Sequence, residues 1–248
     1  MTILADLDFR VFWQPAIGDG GNYLSYLIWG LVWTLLLSLT SWVLAFVVGS
    51  IVGVMRTVPG SMLPKLGAFY VEIFRNIPLL VQLFIWYFVL PELVPIVGPW
   101  FKQSFSPALQ QFISAALCFG FFTASRVSEH VRSGINSLGS SQFEAGLALG
   151  FNITQVYTIV LLPVAYRIII PTLTSEFLNL VKNTAVASTI GFIDLTQRSK
   201  NMGEYTSHLY ESFIAVTILY ALVNLIVMLI SRNLERATRL PGYLGEKK

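Results

Sequence analysis

The sequence predicts an all-α membrane protein with five transmembrane helices. Three observations carry that expectation. Hydrophobic residues make up 55% of the 248 positions, and mean hydropathy is +0.68. Only 12% of residues are charged, against about 25% in a soluble domain. The charges that exist are spaced by apolar runs near or above the roughly 20 residues needed to cross a bilayer. A soluble globule of this size has too little interior for so much apolar surface.

The elements follow from the charge gaps. Residues 1–20 have no basic region running into an apolar one, so no cleavable leader is expected. They carry Asp6, Asp8, Arg10 and Asp19 among Phe9, Phe12 and Trp13, and read as an extramembrane segment lying on the bilayer surface. No charge occurs between Asp19 and Arg56, and residues 26–54 form the first expected span. Its length calls for tilt or a protruding end. Trp29, Trp33 and Trp42 cannot all sit at one interface, so some face protein. The second span is expected over residues 66–90, with Glu72 and Arg75 early and then Pro78. The third covers 107–129, the fourth begins after Pro163 and ends near Gly191, and the fifth is 212–231, stopped by Arg232.

Lysine and arginine placement orients the five spans. One face, residues 55–65, 130–163 and 232–248, holds eight basic residues: Arg56, Lys65, Arg132, Arg232, Arg236, Arg239, Lys247 and Lys248. The other, residues 1–25, 91–106 and 192–211, holds four: Arg10, Lys102, Arg198 and Lys200. The first is expected in the cytoplasm, which puts the N-terminus outside and the C-terminus inside. The chain then reads as one transmembrane domain, 1–248. It has an outer segment 1–25, a five-helix core 26–231 with a cytoplasmic loop 132–163, and a basic tail 232–248.

Several functions are disfavoured. Net charge is only +3, with no basic patch interleaved with aromatics, so no nucleic-acid partner is expected. Cys118 is alone in an apolar run and reads as a small buried hydrophobe. His130 and His208 lie far apart without metal-binding company, so no metal site is expected. His208 and Glu211 are spaced i, i+3, but on the outer face before the last span. No coherent nucleophile and base exist for an intramembrane enzyme. No Gly-x4-Gly-Lys-Ser/Thr occurs, so the chain has no phosphate-binding loop of its own.

The most informative loop is Glu144-Ala145-Gly146-Leu147-Ala148-Leu149-Gly150, with Pro163 thirteen residues further on. Ser141-Gln142-Phe143-Glu144 fits a capping box, and Gly150 suits the left-handed position after a helix. The two-turn helix between them is too short to persist alone. Ala145, Gly146 and Ala148 leave a surface with little side-chain bulk, open to close approach by another protein. Phe143 and Leu147, at i and i+4, are expected to anchor it. A second helix is expected from Thr154 to Leu162.

Polar groups inside the spans are costly, about 2.5–3.5 kcal/mol per charge on insertion scales, and mark pairs or pathways. Glu72 and Arg75 are i, i+3 and are expected to pair. Gln82, seven residues past Arg75, extends that face. Asn179, Lys182 and Asn183 form one stripe, with Ser175 and Glu176 a turn away and Thr184 and Ser188 beside it. A structural role and a polar translocation face remain the two readings for each set.

The loop resembles the "EAA" signature of permease subunits of binding-protein-dependent ABC importers. Glu144, Ala145, Gly150, Leu162 and Pro163 match at its spacing, with Gly146 in place of the second Ala and Val160 in place of Ile. Val71-Glu72-Ile73-Phe74-Arg75-Asn76-Ile77-Pro78-Leu79-Leu80-Val81-Gln82 is similar to a segment of the polar amino-acid branch. So is Leu180-Val181-Lys182-Asn183-Thr184 with Ser188. Phe74-Arg75-Asn76, Arg126 and Arg239-Leu240-Pro241-Gly242 most resemble glutamate/aspartate permeases.

The resemblance implies a type I ABC importer permease in a bacterial inner membrane, not itself an enzyme, with no cofactor of its own. It implies an ABC ATPase dimer that binds ATP and Mg, a second permease subunit that is a paralogue, and a periplasmic amino-acid-binding protein. Phe143, Glu144, Ala145, Gly146, Leu147, Ala148 and Gly150 would couple to the ATPase. Arg75, Gln82, Arg126, Glu176, Asn179, Lys182, Asn183, Thr184 and Ser188 would belong to the substrate path. The branch commonly has an aromatic residue at position 126, so Arg126 is either an acceptor for a substrate carboxylate or an anchor near the cytoplasmic border. The alternative function is a secondary transporter or channel driven by an ion gradient. It predicts internal repeats, and no convincing half-to-half similarity is present.

Overall fold

The computed structural model describes residues 7–17, 21–95 and 97–238. Asp6, Asp19, Arg239, Leu240, Pro241, Gly242, Lys247 and Lys248, used in the sequence reading, lie outside the described residues. Among the described residues a short 3-10 helix, Phe9–Trp13, precedes nine helices: α1 (Tyr23–Met55), α2 (Leu63–Asn76), α3 (Leu79–Leu93), α4 (Val97–Ser104), α5 (Pro107–Asn136), α6 (Ser140–Ala148), α7 (Ile153–Ile190), α8 (Leu195–Thr206) and α9 (Leu209–Thr238). Among the described residues there is no named strand, only an isolated bridge between Pro15 and Asn22.

Among the described residues four helices, α1, α5, α7 and α9, are long and apolar enough to cross a bilayer, and α2 with α3, bent by 100° at a short break, makes a candidate fifth. The break falls at Ile77-Pro78, where Ile77 is extended (φ −93°, ψ 129°). A residue before proline is pushed out of the helical region, and the proline has no N–H to donate. The second span is therefore two helices where the sequence reading had one. Gln82 and Arg75 lie on different pieces and share no helical face.

The other spans run longer than charge gaps indicate. α5 continues past Glu129 to Asn136, because Glu129 and Arg132 find ionic partners and need not leave the helix, and His130 meets Glu176. α7 begins at Ile153, ten residues before Pro163. Proline does not start this span. Widened π-type turns over Val156–Leu161 precede it, with the Leu162 N–H bonded to the Tyr157 carbonyl. They lead the helix into a residue that cannot donate. The separate helix expected over 154–162 is the first part of this span.

The chain packs as two compact units. One takes the chain up to Ser41, Leu79–Phe119 and Asn179–Ile226. Val11, Tyr23, Tyr26, Leu27, Leu195, Met202 and Val216 fill its core. Val11 brings the N-terminal segment into that core, and the Asp8 N–H donates to Glu211 Oε1 at 2.9 Å. Arg198 donates to the Tyr26 carbonyl at 3.1 Å, its guanidinium 4.3 Å from the Tyr26 ring centre.

The other unit takes Trp42–Pro78, Gly120–Leu178 and the chain from Val227. Val127, Val131 and Ile135 recur every four residues on α5 and meet Val156, Tyr157, Leu161, Ala165 and Ile169 of α7. Gly49 and Gly53 of α1 pack so tightly on Val127 and Val131 that a Cβ at either would come within 2.6 Å of a valine Cβ. This spacing of i, i+4 is what brings one face of a helix onto a neighbour.

Candidate functional site

α6 stands in the loop between α5 and α7. It starts at Ser140, with Gly139 (φ 73°) at its N-cap and no side-chain cap. The capping box expected at Ser141 and Glu144 does not form. The positive-φ turn at Gly139 starts the helix earlier, so both residues lie inside it. A capping box forms instead at the head of α7. There the Gln155 N–H donates to Asn152 Oδ1 and the Asn152 N–H to Gln155 Oε1, each at 2.9 Å.

The far end of α6 closes as the sequence predicts. Gly150 is left-handed (φ 85°). The Phe151 N–H donates to the Gly146 carbonyl at 3.2 Å and the Gly150 N–H to the Leu147 carbonyl at 2.9 Å. These paired bonds form a Schellman closure. Glu144, Ala145, Leu147 and Ala148 are exposed, and Gly146 alone of residues 143–150 is fully buried. Its Cα faces Val156. Phe143 anchors the helix, half-buried and edge-on to Tyr157 with ring centres 6.2 Å apart. Leu147 does not share that role; it is 42% exposed on the outer face. Beside α6 lies an open cavity of about 360 Å³ lined by Thr57, Pro59, Asn136, Ser140, Phe143 and Tyr157, among others.

Several charges of the same unit gather at two carboxylates. Arg75 does not pair with Glu72. It reaches Glu129 on α5 at 3.2 Å, where Arg56 (3.0 Å) and Arg132 (3.3 Å) also converge. Arg56 is nearly buried, while Arg75 and Arg132 are about half exposed. Sequence reasoning treated Glu129 only as a span border; its i, i+3 spacing to Arg132 was the available signal. Glu176 of α7 is the second centre. His130 Nε2 lies 3.3 Å from its Oε1, and Arg126 Nη1 lies 3.9 Å from its Oε2. The Arg126 guanidinium sits over the Phe122 ring, 5.2 Å from its centre.

The remaining predicted path residues fall in the other unit. Gln82 is buried on α3. Asn179 and Asn183 are half-buried and Lys182 is exposed. From Thr184 to Ile190 the backbone tightens to a 3-10 helix, so α-helical spacing does not carry the stripe on to Ser188. Thr184 donates to the Val181 carbonyl at 2.7 Å, and Ser188 accepts from Lys200 Nζ at 3.2 Å. Lys200 is a neighbour that sequence reasoning did not supply. Asp194, in the turn after α7 and outside the spans, is fully buried and caps α8 by accepting the Gln197 N–H at 2.8 Å. Burial pushes its carboxyl up to about 6, against the lowering effect of Gln197, Thr196 and Lys200.

The chain as a whole is similar to known proteins. Residues 45–240 match the family described as binding-protein-dependent transport system inner membrane component. The chain is 47% identical over 243 residues to the glutamate/aspartate import permease protein GltJ of Escherichia coli K12, covering 98% of this chain and 99% of that one. It is 32% identical to the probable glutamine ABC transporter permease GlnM of Bacillus subtilis, over 79% of this chain and 85% of that one. Among solved structures, an amino acid ABC transporter crystallised with histidines aligns with a TM-score of 0.71 at 26% identity, over 87% of this chain and 95% of that one. The inward-facing MetNI methionine ABC transporter shares the fold, with a TM-score of 0.71 at 24% identity, over 88% and 98%. The architecture is that of a type I ABC importer permease, multi-pass in the inner membrane. The chain belongs to the family of binding-protein-dependent transport system inner membrane components.

Proposed function

We propose that this chain is one permease subunit of an ATP-driven importer of glutamate and aspartate. It provides half of a translocation path and takes its energy from a partner ATPase dimer that binds ATP and Mg. The second permease is a paralogue, and a periplasmic binding protein delivers the amino acid. α6 faces the cytoplasm, with the N-terminus outside and the C-terminus inside. The observation that carries the reading is α6 itself. It is a two-turn helix, closed at Gly150 and pinned by Phe143, that turns Glu144, Ala145 and Ala148 to solvent. A helix this short is held by packing and not by its own propensity. It therefore moves as a rigid body with Tyr157 and Val156 at the head of α7. Pressure on the small-residue face passes directly into a membrane-crossing helix. The near-full-length likeness to a glutamate/aspartate permease supports the substrate class.

The test is co-purification. Glu144→Lys places a long cation on the docking face without touching the buried Gly146 or Phe143. It is expected to strip the ATPase from the detergent-solubilised permease and to abolish ATP-dependent uptake, while the variant still inserts in the membrane. Retention of the ATPase by variants throughout residues 143–150 would refute the docking role.

A further inference from the structure

Two arginine–glutamate pairs in the same unit differ in a way that assigns them different work. Arg56 meets Glu129 at 3.0 Å with its side chain 10% exposed. That pair is close and nearly buried, and Arg56 Nη1 also donates to Ser128 Oγ at 3.3 Å. Arg126 stands 3.9 Å from Glu176 with its side chain 45% exposed. Among the described residues its guanidinium makes no hydrogen bond, and the buried Oε2 of Glu176 that it faces accepts none. The ion contact exists without the hydrogen bonds that would lock it.

Two further features prepare Arg126 to leave this contact for another carboxylate. Phe122 lies one turn back on α5 and holds the guanidinium by its ring face, which leaves the N–H edge free. His130, one turn on, holds the other oxygen of Glu176, so that carboxylate keeps a partner when Arg126 turns away.

We propose that Arg126 is a specificity-determining residue for transport, its guanidinium receiving a carboxylate of the acidic amino acid in exchange for its loose contact with Glu176. An acidic amino acid carries two carboxylates and one ammonium, and one carboxylate is left without an internal counter-charge. The planar fork of arginine matches a carboxylate with two parallel hydrogen bonds, which lysine cannot do. In the exchange Glu176 keeps its contact with His130. The proposal rests on the importer reading above.

The test uses the complete assembly, both permeases with the ATPase and the binding protein, in proteoliposomes supplied with labelled glutamate. The readout is glutamate carried per ATP hydrolysed. Arg126→Gln is expected to lower this ratio at least ten-fold, and Arg126→Lys several-fold. The charge-swapped double variant, Arg126→Glu with Glu176→Arg, rebuilds an ion pair with its sides exchanged and is expected to stay as defective as Arg126→Gln. Recovery of the native ratio by the swap makes Arg126 half of a structural pair and overturns the proposal. Should Arg126→Gln fail to assemble, Arg126→Lys decides, and a native ratio there overturns it equally. Failure of the importer reading looks different, because the unaltered assembly would then show no ATP-dependent uptake.

Discussion

A Cβ built on Gly146 stands 2.9 Å from Cγ2 of Val156, closer than packed carbon atoms come. The glycine is what lets α6 lie against the head of α7. Val156 is β-branched and fully buried, so it cannot swing aside. Overpacking of this kind costs about 1–3 kcal/mol, while alanine returns about 1 kcal/mol of helix propensity. Gly146→Ala is therefore expected to destabilise by roughly 0–2 kcal/mol net. With Val156→Ala the added methyl enters vacated space, and the double variant should be more stable than the summed singles by about 1 kcal/mol or more. Thermal unfolding of the four proteins in one detergent reads the coupling. Strict additivity would mean the two residues do not share this contact.

The Glu129 cluster yields a ranking. Removing one partner of a buried ion pair strands the other charge, typically at about 3–5 kcal/mol, whereas exposed pairs are worth about 0–1 kcal/mol. Arg56 is 10% exposed but Glu129 keeps a quarter of its surface, so Arg56→Gln is expected to cost somewhat less, about 2–4 kcal/mol. Arg75→Gln and Arg132→Gln, at 53% and 43% exposure, should each cost under about 1 kcal/mol. Glu129→Gln should fall near Arg56→Gln. Melting temperatures in a common detergent order the four variants, and equal losses for the three arginines contradict the ranking.

Most of the architecture was legible because hydrophobic length is a strong constraint in a bilayer. Charge gaps located the four long spans and the bent α2–α3 pair, and Gly150 announced the end of α6 by its freedom at positive φ. Span boundaries were not legible, since the paired Glu129 and Arg132 stay inside α5 where an unpaired charge would have ended it. Local spacing also misled at Glu72 and Arg75. The i, i+3 rule names neighbours on one helix, but Arg75 finds a carboxylate on α5, and no one-dimensional pattern encodes that approach. Pro78 and Pro163 look alike in the sequence and act differently. The first breaks its span; the second follows the widened turns over Val156–Leu161 and stays inside its helix.

Asp194 supplies a pH signature. Its folded pKa of about 6 lies above the ordinary 3.8 because burial disfavours the charged form. A carboxyl with a raised folded pKa binds its proton more tightly in the native state than in the unfolded one. Its contribution is thus most favourable below about pH 4, declines as pH rises towards 6, and stays at its low plateau above. The fall across that window is on the order of 3 kcal/mol. Asp194→Asn keeps an oxygen for the Gln197 N–H and removes the charge, so it is expected to melt higher than the native chain at pH 7 and at nearly the same temperature at pH 4. Asp194→Ala also removes the charge but forfeits the cap, worth about 1 kcal/mol, and should lie below Asp194→Asn at every pH. A difference between the native chain and Asp194→Asn that stays constant from pH 4 to 7 would show that the side chain does not titrate in this window, and that the buried carboxylate is compensated by its cap and by Lys200.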